Sequence, residues 1–454
     1  MSRILRSGVW VILSFLPIVG IGQNPLAPIP PMGWNSWDSY GLTIDEMQFK
    51  ANVDVMAKRL KAAGYQYAVV DEGWYLENPQ KKKDQNFIYR IDANGRYEPA
   101  LGRFVSAKGM RGFKPVSDYV HAQGLKFGIH IIRGIPKEAV AKNLPIADSS
   151  LHATDAADTT DLCPWNPDNF GVKNNPAGQA WYDSLIRQYA AWGVDYIKVD
   201  CIASHPYKGD EIRMIHRAIV KTHRPILLSL SPGPAPLEKA AELAANAQLW
   251  RISDDVWDRW ERPVNEHFPQ GVKNQFDLIA SWAQHLKPGN WPDADMLPLG
   301  TLGPTPGWGQ PRKTRLTSEE QTTLMTLWAI SRSPLFIGAN LTELDDNTLA
   351  LLTNKDLVAI HRYGRDQKLF RDEDSLVIWT SEIGTKQRYI ALFNLGDSPM
   401  LLDRPYNTLG VPQQQFHVRE VWTGKTIDSS LGPIAWRVVL TIPPHGCALL
   451  ALNR

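Results

Sequence analysis

Eight short runs rich in β-branched and aromatic residues alternate with longer amphipathic stretches between residues 28 and 364. This alternation is typical of an α/β protein whose parallel strands are joined by crossover helices. Because eight such units close into a barrel, the pattern predicts a (β/α)8 TIM barrel in a domain that we assign to residues 23–364. The predicted strands are PMGWNSW (31–37), YQYAVVDEGW (65–74), KFGIHIIRG (126–134), DYIKVDCI (195–202), ILLSLSPG (226–233), QLWRISDDV (248–256), WPDADMLPLG (291–300) and SPLFIGANL (333–341).

An open, doubly wound sheet is the structural alternative to the barrel. A Gly-rich phosphate turn follows the first strand of such sheets when they bind dinucleotides, and this sequence has no such turn there. The barrel is therefore preferred. Two long insertions, at residues 75–111 and 135–176, follow the second and third strands, so both are expected on the face where the strands end.

After His361 the helical pattern gives way to stretches that alternate apolar and polar residues. Such alternation is typical of antiparallel strands with one buried face. We therefore predict a C-terminal antiparallel β-sandwich domain over residues 365–454, with a packing or accessory role. The predicted stretches are SLVIWTSEI, QRYIALFNLG, FHVREVWTGKTI and WRVVLTIPPHGCALLALNR.

The first residues have the features of a secretory signal. Arg3 and Arg6 precede an apolar run from Val9 to Val19. A membrane anchor is the alternative, but the run is shorter than the roughly 20 residues that a span needs. The pattern predicts a signal peptide at residues 1–22 and a secreted or periplasmic protein with no membrane span after its removal.

Charge and cysteine content narrow the classes of partner and compartment. Lys and Arg total 49 and Asp and Glu total 47, so the net charge of +2 provides no broad positive field for nucleic acid. The three cysteines, Cys163, Cys201 and Cys447, allow at most one internal bridge in an oxidising compartment. We expect that bridge between Cys163 and Cys201; buried free thiols at both positions are the alternative.

Polar side chains cluster at the predicted carboxyl ends of the strands, where barrel enzymes place their chemistry. A structural ion pair would explain any one of them. Polar residues at the ends of six strands favour a binding site instead, because burying several carboxylates without a ligand carries a large desolvation cost. The candidate site residues are Trp37, Asp71, Glu72, His130, Lys198, Asp200, Ser231, Arg251, Asp255 and Asp295.

A metal site is one interpretation of these carboxylates, since oxygen ligands at successive strand ends hold hard cations. A metal-dependent lyase or isomerase would follow from it. However, Trp37, Lys198 and Arg251 suit the many hydroxyl groups of a sugar better than one ion. We therefore predict a carbohydrate substrate, with no metal and no organic cofactor.

Cleavage of a glycosidic bond needs two carboxylates with different duties. Asp200 and Asp255, from the fourth and sixth strands, fit those duties. Lys198 lies two residues before Asp200 and points to the same side of the strand, so its charge favours the ionised form of a nucleophile. On these grounds alone, retaining and inverting mechanisms are both open.

These motifs resemble glycoside hydrolase family 27, the α-galactosidase and α-N-acetylgalactosaminidase family. The similarity runs from PPMGWNSW through WPDADMLPLG to SRSPLFIGANL, about 310 residues. It implies a retaining exo-glycosidase that removes terminal α-D-galactosyl-type residues by double displacement. In that family the nucleophile lies in a K-x-D strand and the acid/base four residues after an Arg, which match Asp200 after Lys198 and Asp255 after Arg251.

The resemblance also implies sugar contacts for the other candidates. Trp37 matches a stacking wall, Asp71 and Glu72 point to the 4- and 6-hydroxyls, Lys198 points to the 3- and 4-hydroxyls, Arg251 lies near the 2-hydroxyl, and Asp295 matches another site position. His130 stands in place of a usual Tyr. Cys201 directly follows the nucleophile, whereas the family's half-cystine lies one residue later.

Two departures from the family pattern bear on the substrate. Glu72 stands where α-galactosidases usually carry a second Asp, and its extra methylene changes the space around carbon 6. Ser231 stands where they carry a Glu that reads the 2-hydroxyl. A β-L-arabinopyranosidase, which acts on a sugar without the carbon-6 arm, and an α-N-acetylgalactosaminidase are therefore alternatives. A non-catalytic carbohydrate-binding barrel is the alternative from another class.

Overall fold

The computed structural model describes residues 26–80, 86–166, 168–303, 310–371, 375–385, 387–411, 416–427 and 437–453. The predicted signal peptide at residues 1–22 lies outside these ranges. None of the helices within them combines the length and the hydropathy that a membrane span needs.

Eight parallel strands form the main sheet: β1 (Met32–Asn35), β2 (Tyr67–Val70), β3 (Lys126–Ile132), β4 (Tyr196–Asp200), β5 (Leu227–Leu230), β6 (Leu249–Arg251), β7 (Trp291–Asp293) and β8 (Leu335–Ile337). Their order in the sheet follows the chain, with β8 beside β1. Leu297, just after β7, makes a parallel bridge to Ile337 of β8 and closes the sheet. The predicted (β/α)8 barrel is confirmed, and each observed strand lies within its predicted run.

The barrel strands are apolar along their length because both faces are covered. Every residue of β2 and β5 is buried. Inside the barrel, the Tyr196 ring packs 5.6 Å from Tyr67 and 5.2 Å from Phe336, measured between ring centroids. Gly33 in β1 makes this packing feasible, because a Cβ there would lie 2.6 Å from a Phe336 ring carbon and 2.4 Å from the Tyr67 carbonyl oxygen.

Helices connect the strands and cover the barrel. The helix Glu46–Val55 begins at an Asp45 capping box, in which the Asp45 side chain accepts from the Gln48 amide at 2.8 Å and the Gln48 side chain accepts from the Asp45 amide at 3.1 Å. The α-helices are Trp37–Tyr40, Glu46–Val55, Lys114–Ala122, Lys137–Ala141, Ala153–Ala156, Pro176–Ala191, Gly209–Lys221, Ala240–Asn246, Val272–Trp282, Ser318–Ser331, Asp346–Thr353 and Lys355–Tyr363. A π-helix spans Met56–Leu60, and 3₁₀ turns span Gly41–Thr43, Lys61–Ala63, Val105–Ala107, Leu237–Lys239, Ala283–His285, Leu341–Glu343 and Tyr406–Leu409.

Small sheets shape the segments that follow the barrel strands. In the insertion after β3, the antiparallel strands Ile135–Pro136, Asn169–Val172 and Ala157–Leu162 lie side by side in that order. After β7, Thr301–Leu302 pairs with Arg312–Lys313. These sheets give the loops at the carboxyl ends of the strands a fixed path.

The C-terminal domain is a two-layered antiparallel structure. One sheet has the order Arg365–Arg371, Leu376–Ile383, Gln387–Asn394, Cys447–Asn453, His417–Glu420 and Thr426–Ile427, and the other pairs Met400–Pro405 with Arg437–Ile442. Apolar side chains of both sheets, including Ile378, Leu392, Leu402 and Val438, share one buried cluster. The predicted β-sandwich is confirmed.

His445 ties the C-terminal domain to the barrel. Its ring stacks on Trp260, in the loop after β6, with 4.3 Å between centroids and 10° between planes. Its Nδ1 lies 2.8 Å from Glu320 on helix Ser318–Ser331, and its Nε2 lies 2.9 Å from Asp397 of its own domain. One imidazole therefore joins three segments of the chain.

The substitution His445→Ala should lower the free energy of unfolding by about 1–2 kcal/mol, because it removes an aromatic stack and two hydrogen bonds at the domain boundary. Urea titration followed by tryptophan fluorescence measures this change. His417→Ala, at an exposed position of strand His417–Glu420, is the matched control. Equal losses in the two variants would contradict the role of the His445 contacts.

Candidate active site

A cavity of about 560 Å³ lies at the carboxyl ends of the barrel strands. Residues from β4 and from the segments after β1, β2, β3, β5, β6 and β7 line it, as expected for the functional face of such a barrel. The lining residues are Trp37, Asp38, Leu42, Asp71, Glu72, Pro164, Trp165, Lys198, Asp200, His205, Pro232, Asp254, Asp255, Val256, Trp257, Phe268, Asp295 and Met296.

The structure brings most of the predicted site residues to this cavity. Those that line it are Trp37, Asp71, Glu72, Lys198, Asp200, Asp255 and Asp295. His130 and Arg251 are buried and contact the carboxylates that line it. Ser231 is also buried, with its hydroxyl 3.5 Å from the Val199 carbonyl oxygen, and its neighbour Pro232 lines the cavity instead.

Asp71 and Lys198 form the buried ion pair at the base of the site. Lys198 Nζ lies 3.0 Å from Asp71 Oδ2, and the Asn35 side chain donates to the same oxygen at 2.7 Å. Burial alone would raise the pKa of Asp71, but Lys198 and His130 hold it well below its usual value. Asp71 is therefore a carboxylate at neutral pH, fixed to accept hydrogen bonds from a ligand.

Asp200 ends β4, and its carboxylate is held on both oxygens. His130 Nε2 lies 3.3 Å from Oδ2, and the Cys201 amide donates to Oδ1. Burial would raise the pKa of Asp200, yet the hydrogen bond and charge of His130 and the charge of Lys198 lower it overall. The side chain is 18% exposed, so an ionised and accessible carboxylate faces the cavity.

The charge of Lys198 is itself secured by its neighbours. Burial disfavours the ammonium, but Asp71 and Asp200 outweigh that effect and raise the pKa of Lys198 above its usual value. The same reasoning applies to His130: burial opposes its protonation, whereas Asp71 and Asp200 raise its pKa above 6.5. Lys198 and the two carboxylates therefore stabilise one another's charged forms, and both carboxylates favour the protonated form of His130.

Arg251, at the end of β6, organises the opposite side of the cavity. Its guanidinium lies 2.8 Å from Asp295 and 3.3 Å from Asp255, and it donates to the Ser253 carbonyl at 3.0 Å. The Val256 amide donates to the other oxygen of Asp295 at 2.7 Å. Asp295 is 4% exposed and serves to hold Arg251, whereas the Asp255 side chain is 38% exposed and can exchange protons with water.

Asp254 adjoins Asp255 but has different partners. Its Oδ1 lies 3.2 Å from His205 Nε2, and its side chain is 24% exposed. Burial raises the pKa of Asp254 above its usual value, against the lowering effect of His205. Two neighbouring carboxylates thus line the same cavity, one held by Arg251 and the other by His205.

Two further acidic groups near the base are shifted toward the neutral form. Burial raises the pKa of Glu72 from 4.5 to about 7, although His130 opposes the shift, and the Asn166 amide donates to Oε1 at 2.6 Å. Asp38 is 2% exposed, and its Oδ2 has no hydrogen-bond partner. Burial, reinforced by Asp295, raises the pKa of Asp38 well above its ordinary value and so favours its uncharged form.

A disulfide joins the segment after β3 to the segment after β4. The predicted bond between Cys163 and Cys201 is confirmed, and Cys447 is free. Cys201 has a φ of 61°, which is unusual for a residue with a side chain. The disulfide and a 2.6 Å hydrogen bond from Arg133 Nε to the Cys201 carbonyl hold this conformation directly beside Asp200, whose carboxylate accepts from the Cys201 amide.

The aromatic residues at the entrance lie outside the set of site residues predicted from the sequence. They are Trp165, His205, Trp257 and Phe268. The CPWNP motif in the insertion after β3 is a sequence signal for Trp165, because it places an indole beside a cysteine on the functional face. Nothing comparable marks Phe268. Among the described residues, no group of three or more His, Cys, Asp or Glu side chains is arranged to hold a metal ion.

Comparison with known families matches both domains. The family described as "Alpha galactosidase A" matches residues 169–363. The family described as "Alpha galactosidase C-terminal beta sandwich domain" matches residues 373–452.

Individual proteins match over nearly the whole chain. A β-L-arabinopyranosidase of glycoside hydrolase family 27 from Geobacillus stearothermophilus is 41% identical, with a TM-score of 0.87 over 94% of this chain and 97% of that one. "Alpha-galactosidase A" from Cellvibrio japonicus is 29% identical over 448 residues, which cover 94% of this chain and 93% of that protein. "Alpha-galactosidase 2" from Arabidopsis thaliana is 26% identical, with 95% and 91% covered.

The substitution Glu72→Gln should change how stability depends on pH. The raised pKa of Glu72 means that its contribution to stability is complete below pH 4.5 and is lost as the pH rises through about 7. The Gln side chain of the variant does not titrate in this range. Between pH 4.5 and pH 7 the free energy of unfolding of the wild type should therefore fall by about 2 kcal/mol relative to that of the variant. Urea titrations across this range measure the difference.

Glu98→Gln provides a matched comparison outside the cavity. Burial raises the pKa of Glu98 to about 7 as well, and its Oε1 accepts from Gln188 at 2.8 Å. Both variants should therefore show the same trend in stability. A difference between wild type and Glu72→Gln that is constant from pH 4 to pH 8 would contradict the assigned titration.

Proposed function

This chain belongs to glycoside hydrolase family 27, and from that membership we propose that it is a retaining exo-glycosidase for terminal sugars of galactose configuration. One observation carries the proposal: Asp200 of β4 and Asp255 after β6 line the same cavity, and a cation lies beside each of them. Two carboxylates flanking one sugar are what hydrolysis of a glycosidic bond requires.

In the proposed first step, Asp200 attacks carbon 1 of the terminal sugar and forms an ester bond to it. The bond from carbon 1 to the leaving oxygen breaks, and Asp255 gives its proton to that oxygen. In the second step, water attacks carbon 1, Asp255 takes the proton of the water, and the ester to Asp200 breaks. Two inversions at carbon 1 give net retention.

The surroundings of Asp200 support its role as the nucleophile. A nucleophilic carboxylate must be ionised, and His130 and Lys198 lower the pKa of Asp200 despite its burial. The Cys201 amide and His130 also fix both oxygens, so the carboxylate is oriented before the substrate binds. This preorganisation lowers the cost of reaching the transition state.

The choice of Asp255 over Asp254 as the acid/base rests on their partners. Asp255 is in contact with Arg251, which Asp295 anchors at the end of β6. Asp254 pairs with His205, whose side chain is half exposed at the cavity entrance. An acid/base that serves both steps needs a fixed position and access to water, and Asp255 has both.

We propose β-L-arabinopyranose as the preferred terminal sugar. This sugar has the galactose configuration without the carbon-6 arm, and Glu72, held by Asn166, reaches one methylene further than the Asp that α-galactosidases usually carry there. The 41% identity to the arabinopyranosidase, against 29% to the α-galactosidase of Cellvibrio japonicus, supports this order. α-D-Galactose is the second candidate, because Trp37, Asp71 and Lys198 match positions that the family resemblance assigns to a galactose-type sugar.

We infer that the enzyme acts after export, on the basis of the signal pattern at residues 1–22. We also propose that the barrel domain comprises residues 23–364 and the C-terminal domain residues 365–454. The last barrel helix, Lys355–Tyr363, and the first strand of the sandwich, Arg365–Arg371, lie on either side of this boundary.

Asp200→Asn and Asp255→Asn should each lower turnover of a natural glycoside by several orders of magnitude, because both groups act in the same covalent mechanism. Asp254→Asn is the matched control and should cost far less. Steady-state kinetics measures all three, and NMR of the first-formed product should show the anomer of the substrate. Near-normal activity of Asp200→Asn would refute the nucleophile assignment, and greater damage from Asp254→Asn would exchange the roles of the two neighbours.

A panel of nitrophenyl glycosides should show the highest kcat/KM for β-L-arabinopyranoside, followed by α-D-galactoside and then α-N-acetylgalactosaminide. Glu72→Asp should raise the ratio of α-D-galactoside to β-L-arabinopyranoside activity about tenfold, since removing one methylene makes room for carbon 6. An unchanged ratio would show that Glu72 does not set this preference. Failure to turn over any of these glycosides would favour the non-catalytic binding barrel.

A further inference from the structure

The cavity has two parts that differ in burial and chemistry. At its base lie charged side chains with little exposure, such as Asp71 at 2% and Asp295 at 4%. At its entrance lie side chains that are much more exposed, including Phe268 at 40% and His205 at 50%. We call the entrance residues Trp165, His205 and Phe268 the aromatic rim.

The aromatic rim is assembled from three segments of the chain. Trp165 follows Cys163, whose disulfide to Cys201 joins it to the segment after β4. His205 comes from that same segment, and its ring lies edge-on to Trp165 with 6.3 Å between centroids. His205 also pairs with Asp254, in the segment after β6 that leads to Phe268. The disulfide and the hydrogen bond between His205 and Asp254 therefore hold Trp165 and His205 in place without a ligand.

The rim lies on the side of the cavity where the leaving group departs. In the proposed function, Asp255 protonates the leaving oxygen, so the leaving group must extend past Asp255 toward the entrance. Asp254 is its direct neighbour in sequence and contacts His205 of the rim. The base of the cavity, with its buried charges, is left for the terminal sugar.

We propose that the aromatic rim is a binding site for the leaving group and that it recognises a second sugar ring. The faces of Trp165 and Phe268 suit the apolar C–H face of a pyranose. The paired His205 and Asp254 add hydrogen-bonding groups that a hydroxyl-bearing ring can use and a plain aryl ring cannot. This inference rests on the proposed function. It assigns a binding site to the leaving group, which the base of the cavity does not contact.

The test compares leaving groups that do or do not reach the rim. Three substrates carry the same terminal sugar, the one that the nitrophenyl panel identifies: a disaccharide, a nitrophenyl glycoside and a glycosyl fluoride. The fluoride leaves as a single atom and cannot contact the rim. The variants are Trp165→Ala and His205→Ala, and Tyr363→Ala is the control, because Tyr363 is an exposed aromatic residue on the last barrel helix.

Trp165→Ala should lower the ratio of kcat/KM for the disaccharide to kcat/KM for the fluoride by about threefold to tenfold, which corresponds to the loss of one aromatic stacking contact. His205→Ala should lower the disaccharide ratio but leave the ratio of nitrophenyl glycoside to fluoride unchanged. Tyr363→Ala should change neither ratio.

Three outcomes would overturn the proposal. Unchanged ratios in Trp165→Ala would show that the rim does not contact the leaving group. A loss confined to the nitrophenyl glycoside would assign the rim to aryl groups rather than sugars. Equal losses on all three substrates would place Trp165 in the fold or in the terminal-sugar site. Inactivity of the wild type on all three substrates and on the whole nitrophenyl panel would instead refute the proposed function, so the two failures are distinguishable.

Discussion

The constraint on which this active site depends is charge compensation in a buried place. Carboxylates at the carboxyl ends of β2, β4 and β7 lose most of their hydration, and each would be costly as an isolated ion. Lys198, 3.0 Å from Asp71, offsets that cost for Asp71, and Arg251, 2.8 Å from Asp295, offsets part of it for Asp295, whose pKa burial still raises to about 7. Lys198 also attracts Asp200, and Arg251 also contacts Asp255. The ion pairs that stabilise the carboxyl ends of the strands therefore also position the two proposed catalytic carboxylates.

The backbone next to Asp200 fixes the orientation of its carboxylate. Cys201, directly after β4, donates its amide to Asp200 and has an uncommon φ of 61°. The bond to Cys163 and the hydrogen bond from Arg133 make that conformation persist. The disulfide thus connects the segment next to the proposed nucleophile to the insertion that carries Trp165. The base of the cavity and the aromatic rim are therefore held by the same covalent bond.

The sequence predicted the scaffold better than the site. Each of the eight strands lies within a predicted run because β-branched, apolar stretches between helices leave few alternatives to a closed parallel sheet. The Cys163–Cys201 bond was predicted as well. Ser231 was placed in the site by its position at a strand end, but its side chain turns toward Val199, and register at the last residue of a strand decides such directions. The rim residues lie on loops whose paths depend on tertiary contacts, and only Trp165, in the CPWNP motif, has a local sequence signal.

The C-terminal domain acquires a role from the segment that carries Asp255. This segment contains no helix or strand, and its own backbone hydrogen bonds, such as that from the Gln270 amide to the Asp255 carbonyl at 2.8 Å, are supplemented by anchors on other elements. One anchor is Asp258, which is buried and pairs with Arg312 at 2.6 Å and Arg315 at 2.9 Å. The other is Trp260, whose ring stacks on His445 of the C-terminal domain. The C-terminal domain contributes none of the lining residues named above, but it restrains the segment of the residue proposed as acid/base. This restraint is a physical reason for the two domains to pack together.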